Sequence, residues 1–131
     1  MSTTTNRAAA VFNTRQELVH EIIVDSIQDI KGKNIVRLDL RKLDAAPADF
    51  FFICEADSSV QVNSIAERVR RRLRTEVGEA PSNPANYRES KTWICLDYFD
   101  TIVHVFYHEA REFYDLEDLW SDADVTEYAA A

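Results

Sequence analysis

The chain has 131 residues, of which 46% are hydrophobic and 29% charged, and a net charge of −8. That size suits one globular domain and leaves no room for a second core. With 2 glycines, 3 prolines and 2 cysteines, it is neither collagenous, nor a flexible low-complexity chain, nor a disulfide-stapled miniprotein. The acidic balance opposes wrapping of bare nucleic acid and favours a partner with basic surface.

Met1 to Val11 is rich in Thr and Ala with Arg7 as its cation, and residues 1–12 are read as a flexible tail. No stretch approaches the roughly 20 apolar residues of a membrane helix, and a cytoplasmic protein is expected. Thr14-Arg15-Gln16-Glu17 is a capping box that starts a helix. Val19, Ile22, Ile23, Ile27 and Ile30 share one side of it, and Gly32 between Lys31 and Lys33 ends it as the left-handed residue. Asn34 to Leu40 alternates as a half-buried strand, whereas Phe50-Phe51-Phe52-Ile53-Cys54 is continuously apolar and belongs in the sheet interior.

Ser58-Ser59-Val60-Gln61 caps a second helix with a narrow stripe of Val62, Ile65, Ala66, Val69 and Leu73. Arg68, Arg70, Arg71, Arg72 and Arg74 occupy its flanks and back, and Gly78 ends it. Pro81 to Ser90 reads as a long irregular connection. Thr92 to Asp97 and Thr101 to Phe106 form a hairpin through a turn at Tyr98-Phe99, with Trp93 opposite His104. This register puts Trp93, Cys95, Asp97, Asp100, Ile102 and His104 on one face, and Ile94, Leu96, Val103 and Val105 on the other. His108 to Trp120 is one further helix, and residues 121–131 are an acidic, flexible tail. The fold expected is α/β, with a mixed, mainly four-stranded sheet flanked by helices over residues 13–120.

Gly32 and Gly78 stand alone, so a phosphate-cradling loop has no support and no cofactor is expected. Cys54 and Cys95 lack metal spacing and read as buried, reduced thiols. Among His20, His104 and His108, only His104 shares a face with carboxylates, and Asp97 lies about 13 Å along the hairpin from it, too far for a shared ion. Ser58 and Ser59 are explained by capping rather than by a hydrolase triad.

An enzymatic alternative is a nucleotidyltransferase, whose two-metal chemistry would fall to Asp97 and Asp100. A second alternative is an RNA-binding module using Arg70, Arg71 and Arg74, because arginine forks match phosphate oxygens. Trp93, Phe113, Tyr114 and Trp120 are core residues by default. An exposed member of that set would point to a protein partner.

Asp49 to Cys54, Ser58-Ser59 with Gln61-Val62, Trp93 to Phe106, and Arg111 to Glu117 with Leu119-Trp120 together resemble the ribosomal silencing factor family, also called Iojap-like. The resemblance runs from the first helix to Trp120. It departs from the family pattern at Ala56 and Phe99, where glycine is usual, and at Val60, where arginine is usual. It implies a nucleotidyltransferase-like topology without transferase activity. It also implies a binding protein that docks on the large ribosomal subunit, chiefly on its fourteenth protein, keeps the small subunit from joining and represses translation. By the same resemblance the contact residues are Trp93, Asp97, Tyr98 and Asp100, with His104 and Arg111 at matching family positions. A minor contact to ribosomal RNA and a homodimer are compatible with this reading.

Overall fold

A computed structural model describes residues 14–83 and 92–130. The tail expected over 1–12 and most of the connection expected over Pro81 to Ser90 lie outside the described residues. Helix α1 (Arg15–Asp29) starts as its capping box dictates, with the Glu17 amide donating to the Thr14 hydroxyl at 2.9 Å. Its left-handed end residue, however, is Lys31 at φ 63 and not Gly32. Gly32 serves a different purpose: a Cβ there would lie 2.4 Å from Ile27 Cγ2, so the absence of a side chain lets the turn close onto the helix.

Strand β1 (Lys33–Asp39) is followed by β2 (Phe50–Ala56) and helix α2 (Ser59–Val77). The α2 helix is capped by Ser58, whose hydroxyl accepts from the Gln61 amide at 3.1 Å, and ends at Gly78 with φ 71. Then come β3 (Trp93–Asp97), β4 (Thr101–Tyr107), α3 (His108–Tyr114), α4 (Leu116–Leu119) and β5 (Asp124–Tyr128). The sheet order is β3-β4-β2-β1-β5, with β2 parallel to β4 and the other neighbours antiparallel. The sheet is mixed, as expected, but it has five strands rather than four.

The extra strand falls in the stretch read as an acidic tail. Asp124 pairs with Asp39 and Tyr128 with Ile35, and the Gln28 side chain donates to the Ala129 carbonyl at 2.8 Å. An edge strand held mainly by its backbone ladder can be polar and exposed, so its side chains carry little hydrophobic signal.

The continuous apolar run of β2 lies centrally and feeds two cores. Phe52, Cys54 and Ala56 join Ile23, Ile27, Ile65, Val69, Leu73, Leu96, Val103 and Val105 beneath α1 and α2. Phe51 and Ile53 join Val36, Leu38, Leu40, Ile102 and Phe106 on the opposite face, against Leu116 and Trp120. Each Val, Leu, Ile or Phe side chain among these, fully withdrawn from water, stabilises the fold by ~1.5–3 kcal/mol. The two long helices are also cross-linked by charge, Arg68 to Asp29 at 3.0 Å and Arg72 to Asp25 at 2.6 Å. No helix among the described residues is long and apolar enough to cross a membrane.

The hairpin faces are as read, but its register differs. Trp93 opposes Phe106, and Cys95 opposes His104. The turn sits one residue later, at Phe99-Asp100: the Tyr98 amide donates to the Thr101 carbonyl, and the Asp100 amide to the Tyr98 carbonyl around Phe99 at φ 71. Phe99 thus takes the positive φ itself, in a γ-like turn, and is 75% exposed. Because the register moves by two, each strand residue keeps its face. The single helix expected over His108 to Trp120 is broken at Asp115, φ 48, into α3 and α4.

Candidate docking surface

The second face of the sheet carries a row of rings that leads from the core to the surface. His104 is buried beside Phe51, with ring centroids 4.5 Å apart. Trp93, half-buried on β3, stacks on Phe106 at 5.0 Å and meets Tyr114 of α3 at 4.6 Å. Phe113 lies edge-on to Tyr114 at 5.1 Å and is 81% exposed, while Tyr114 is 47% exposed. Offset and edge-to-face ring pairs of this kind add ~0.5–1.5 kcal/mol each beyond area burial. The outer edge of β3 is occupied at one end: Ser82 donates to the Asp97 carbonyl at 2.7 Å, and the Asn83 side chain to the Cys95 carbonyl at 2.7 Å.

Helix α3 buries none of its own residues. It is held by Arg111, whose side chain is 10% exposed. The guanidinium makes two bonds of 3.0 Å to the Glu117 carboxylate and one of 3.1 Å to Glu55, and donates to the Asn34 carbonyl. A bidentate fork of this type fixes orientation as well as position. With the helix pinned from below by charge, Phe113 and Tyr114 are free to face outward. A groove of about 310 Å³ beside Arg111 is lined by Glu55, His108, Glu112, Asp115 and Glu117.

The residues expected to form one contact site are only partly brought together. Trp93 lies at the surface row. Asp97 is half-buried and its Oδ1 accepts from the Phe99 amide at 2.8 Å, whereas Asp100 is exposed and its Oδ2 accepts from Gln16 at 3.2 Å. These two carboxylates are engaged by different partners at the hairpin tip. Tyr98, expected as an anchor, is 5% exposed and belongs to the core under α1 and α2. His104, also expected at the contact, is buried and accepts the Trp93 indole N–H on Nδ1 at 3.1 Å. Arg111 is committed to internal carboxylates. Neighbouring elements thus cover Tyr98 and His104 and bond the Arg111 guanidinium internally, which gives each of the three a structural part in the fold.

Burial holds the His104 imidazole neutral, pulling its pKa down from 6.5 to about 4. His20, buried and 3.0 Å from the Thr101 hydroxyl, is likewise pulled down to about 4 by burial and then by the Arg37 charge. Burial also pushes the Cys54 thiol up to about 12; Cys95, read as buried, is half-exposed on β3 and its thiol is pushed up to about 11 by desolvation and Asp97. Neither thiol is activated. Among the described residues no three His, Cys, Asp or Glu side chains form a group that could hold a metal ion.

The basic back of α2 is neutralised in part. Arg70 pairs with Glu67 at 2.7 Å, and Arg72 with Asp25 and Glu76 at 2.6 Å each. Arg71 and Arg74 are exposed and make no ion pair with a described residue.

The family model described as ribosomal silencing factor during starvation matches residues 13–130. The chain belongs to this family. A ribosomal silencing factor of Halalkalibacterium halodurans is 33% identical over 114 residues, covering 87% of this chain and 94% of that protein. The chloroplastic Iojap protein of Zea mays is 29% identical over 103 residues, 77% of this chain and 42% of that protein. A crystal structure of a Chromobacterium violaceum protein has a TM-score of 0.75 at 29% identity, covering 90% of this chain and 97% of that one.

Within this member of the silencing factor family, Phe113 and Tyr114 are the surface aromatics that the sequence left in the core. Their signal is their adjacency: two consecutive residues of a short helix point about 100° apart and cannot share a narrow buried stripe.

Proposed function

We propose that this protein binds the large ribosomal subunit, chiefly its fourteenth protein, and by its bulk keeps the small subunit from joining, so that translation is repressed. Membership of the family supports this reading, and the observation that carries it is the ring row that runs from half-buried Trp93 out to exposed Tyr114 and Phe113. Exposed aromatics continuous with packed ones make interface anchors, because their orientation is already fixed before the partner arrives. The net charge of −8 favours a basic ribosomal protein over bare RNA and speeds encounter with it. Asp97 and Asp100 at the hairpin tip add to that field, and Arg71 and Arg74 are left for a minor contact with ribosomal RNA. No bond is made or broken in this action, and it belongs in the cytoplasm, with the ribosomes.

Sedimentation tests it. The protein should travel with isolated large subunits at low magnesium and not with small ones. Absence from the large-subunit fraction at saturating protein would reject the reading.

A further inference from the structure

We infer that His104 is a positioning residue for docking: its neutral imidazole holds the Trp93 indole by accepting its N–H, and so sets the aromatic row that meets the partner. The inference rests on the docking reading above. Four observations carry it. The indole Nε1 donates to His104 Nδ1 at 3.1 Å, diagonally across the β3–β4 pair. Trp93 is the hinge of the row, touching Phe106 on its buried side and Tyr114 on its exposed side. The imidazole is 5% exposed and is fixed edge-to-face against Phe51, so its acceptor cannot swing away. Finally, its Nε2 has no hydrogen-bond partner among the described residues.

The last observation matters because an unpaired buried polar atom lowers stability. A phenyl ring would fill the same aromatic site without that loss. The polar atom that does something here is Nδ1, and what it does is fix an indole. Only the neutral ring can accept there, since both nitrogens of an imidazolium are donors. Burial keeps the ring neutral, as its lowered pKa reflects. An indole held this way spends less rotamer entropy on binding.

Three chains test this in a Trp120→Phe background, where Trp93 is the one indole: His104 retained, His104→Phe, which keeps a ring and removes the acceptor, and His104→Asn, which restores an acceptor near Nδ1. The readouts are the Trp93 indole N–H resonance, a thermal melt and affinity for large subunits. The indole proton is expected downfield both where His104 is retained and in His104→Asn, and upfield in His104→Phe. Affinity falls about five- to tenfold in His104→Phe, while His104→Asn stays within about twofold. Affinity that does not follow the indole shift among folded chains overturns the inference, as does an indole shift unchanged in His104→Phe. If His104→Phe does not fold, His104→Asn decides alone: affinity that follows the indole shift relative to the His104 chain supports positioning, and affinity that does not follow it overturns the inference. Failure of the parent chain to bind large subunits defeats the docking reading instead, a result told apart by the indole resonance, which requires no ribosome.

Discussion

Arg111→Ala should unfold the anchor of α3 rather than remove a contact to the ribosome. In the folded protein its guanidinium is 10% exposed and faces Glu55, itself 17% exposed, and Glu117, 38% exposed. Truncation leaves the Glu55 carboxylate shielded from water without its cation and the Asn34 carbonyl without that donor. Breaking a fully buried pair from one side costs about 3–5 kcal/mol. Residual solvent at Glu117 screens part of the interaction, which brings the expected loss to about 2–4 kcal/mol. Urea unfolding followed by circular dichroism should show the midpoint fall by about 1–2 M with an unchanged slope. Pairing Arg111→Met with Glu55→Gln should recover part of the loss, because the more buried of the two carboxylates is then uncharged and Glu117, left without its cation, is partly solvated. An unchanged midpoint together with lost large-subunit binding would refute this account and return Arg111 to the contact surface.

Phe113→Ala should leave stability within about 0.5 kcal/mol and weaken large-subunit binding about tenfold, read by sedimentation at graded protein concentrations. Tyr98→Ala should do the reverse, costing about 3–5 kcal/mol in a thermal or urea melt because it opens a cavity under α1 and α2, while affinity of the remaining folded protein is kept. His20 and His104 both have folded pKa values near 4 against 6.5 unfolded. The unfolded chain therefore binds more protons between those values, so their stabilisation is complete above about pH 6.5 and is lost as pH falls towards 4. The two together make a loss of about 3 kcal/mol or more across that window. Stability that is flat between pH 6.5 and 4 would show that the imidazoles are not held neutral.

Much of the architecture was legible because its causes are local. Thr14 and Ser58 cap the helices they precede, Gly78 closes α2, and the unbroken run Phe50 to Cys54 lies at the centre of the sheet. Faces of the hairpin were legible as well, since alternation survives a register change of two. What was not legible depends on partners distant in sequence. Asp124 to Tyr128 becomes a strand through the free edge of β1, Lys31 takes the positive φ while Gly32 admits Ile27, and Phe99 accepts a conformation that favours glycine.

The candidate site was harder for the same reason. Trp93 was found at the surface row, but Tyr98 lies one residue beyond Asp97 and therefore on the opposite face, among the helix-side core. His104 and Arg111 are polar residues whose satisfaction comes from Trp93, Glu55 and Glu117, none of them a sequence neighbour. Phe113 and Tyr114 were assigned to the core because their apolar character was visible and the ion pairs holding their helix outward were not.

The most direct measurement is light scattering as purified small and large subunits are mixed with increasing amounts of this protein. Steric blocking predicts that the signal from joined ribosomes falls to a plateau as the protein saturates the large subunits, with Phe113→Ala needing about tenfold more protein to reach it. Full joining at saturating protein would contradict the account.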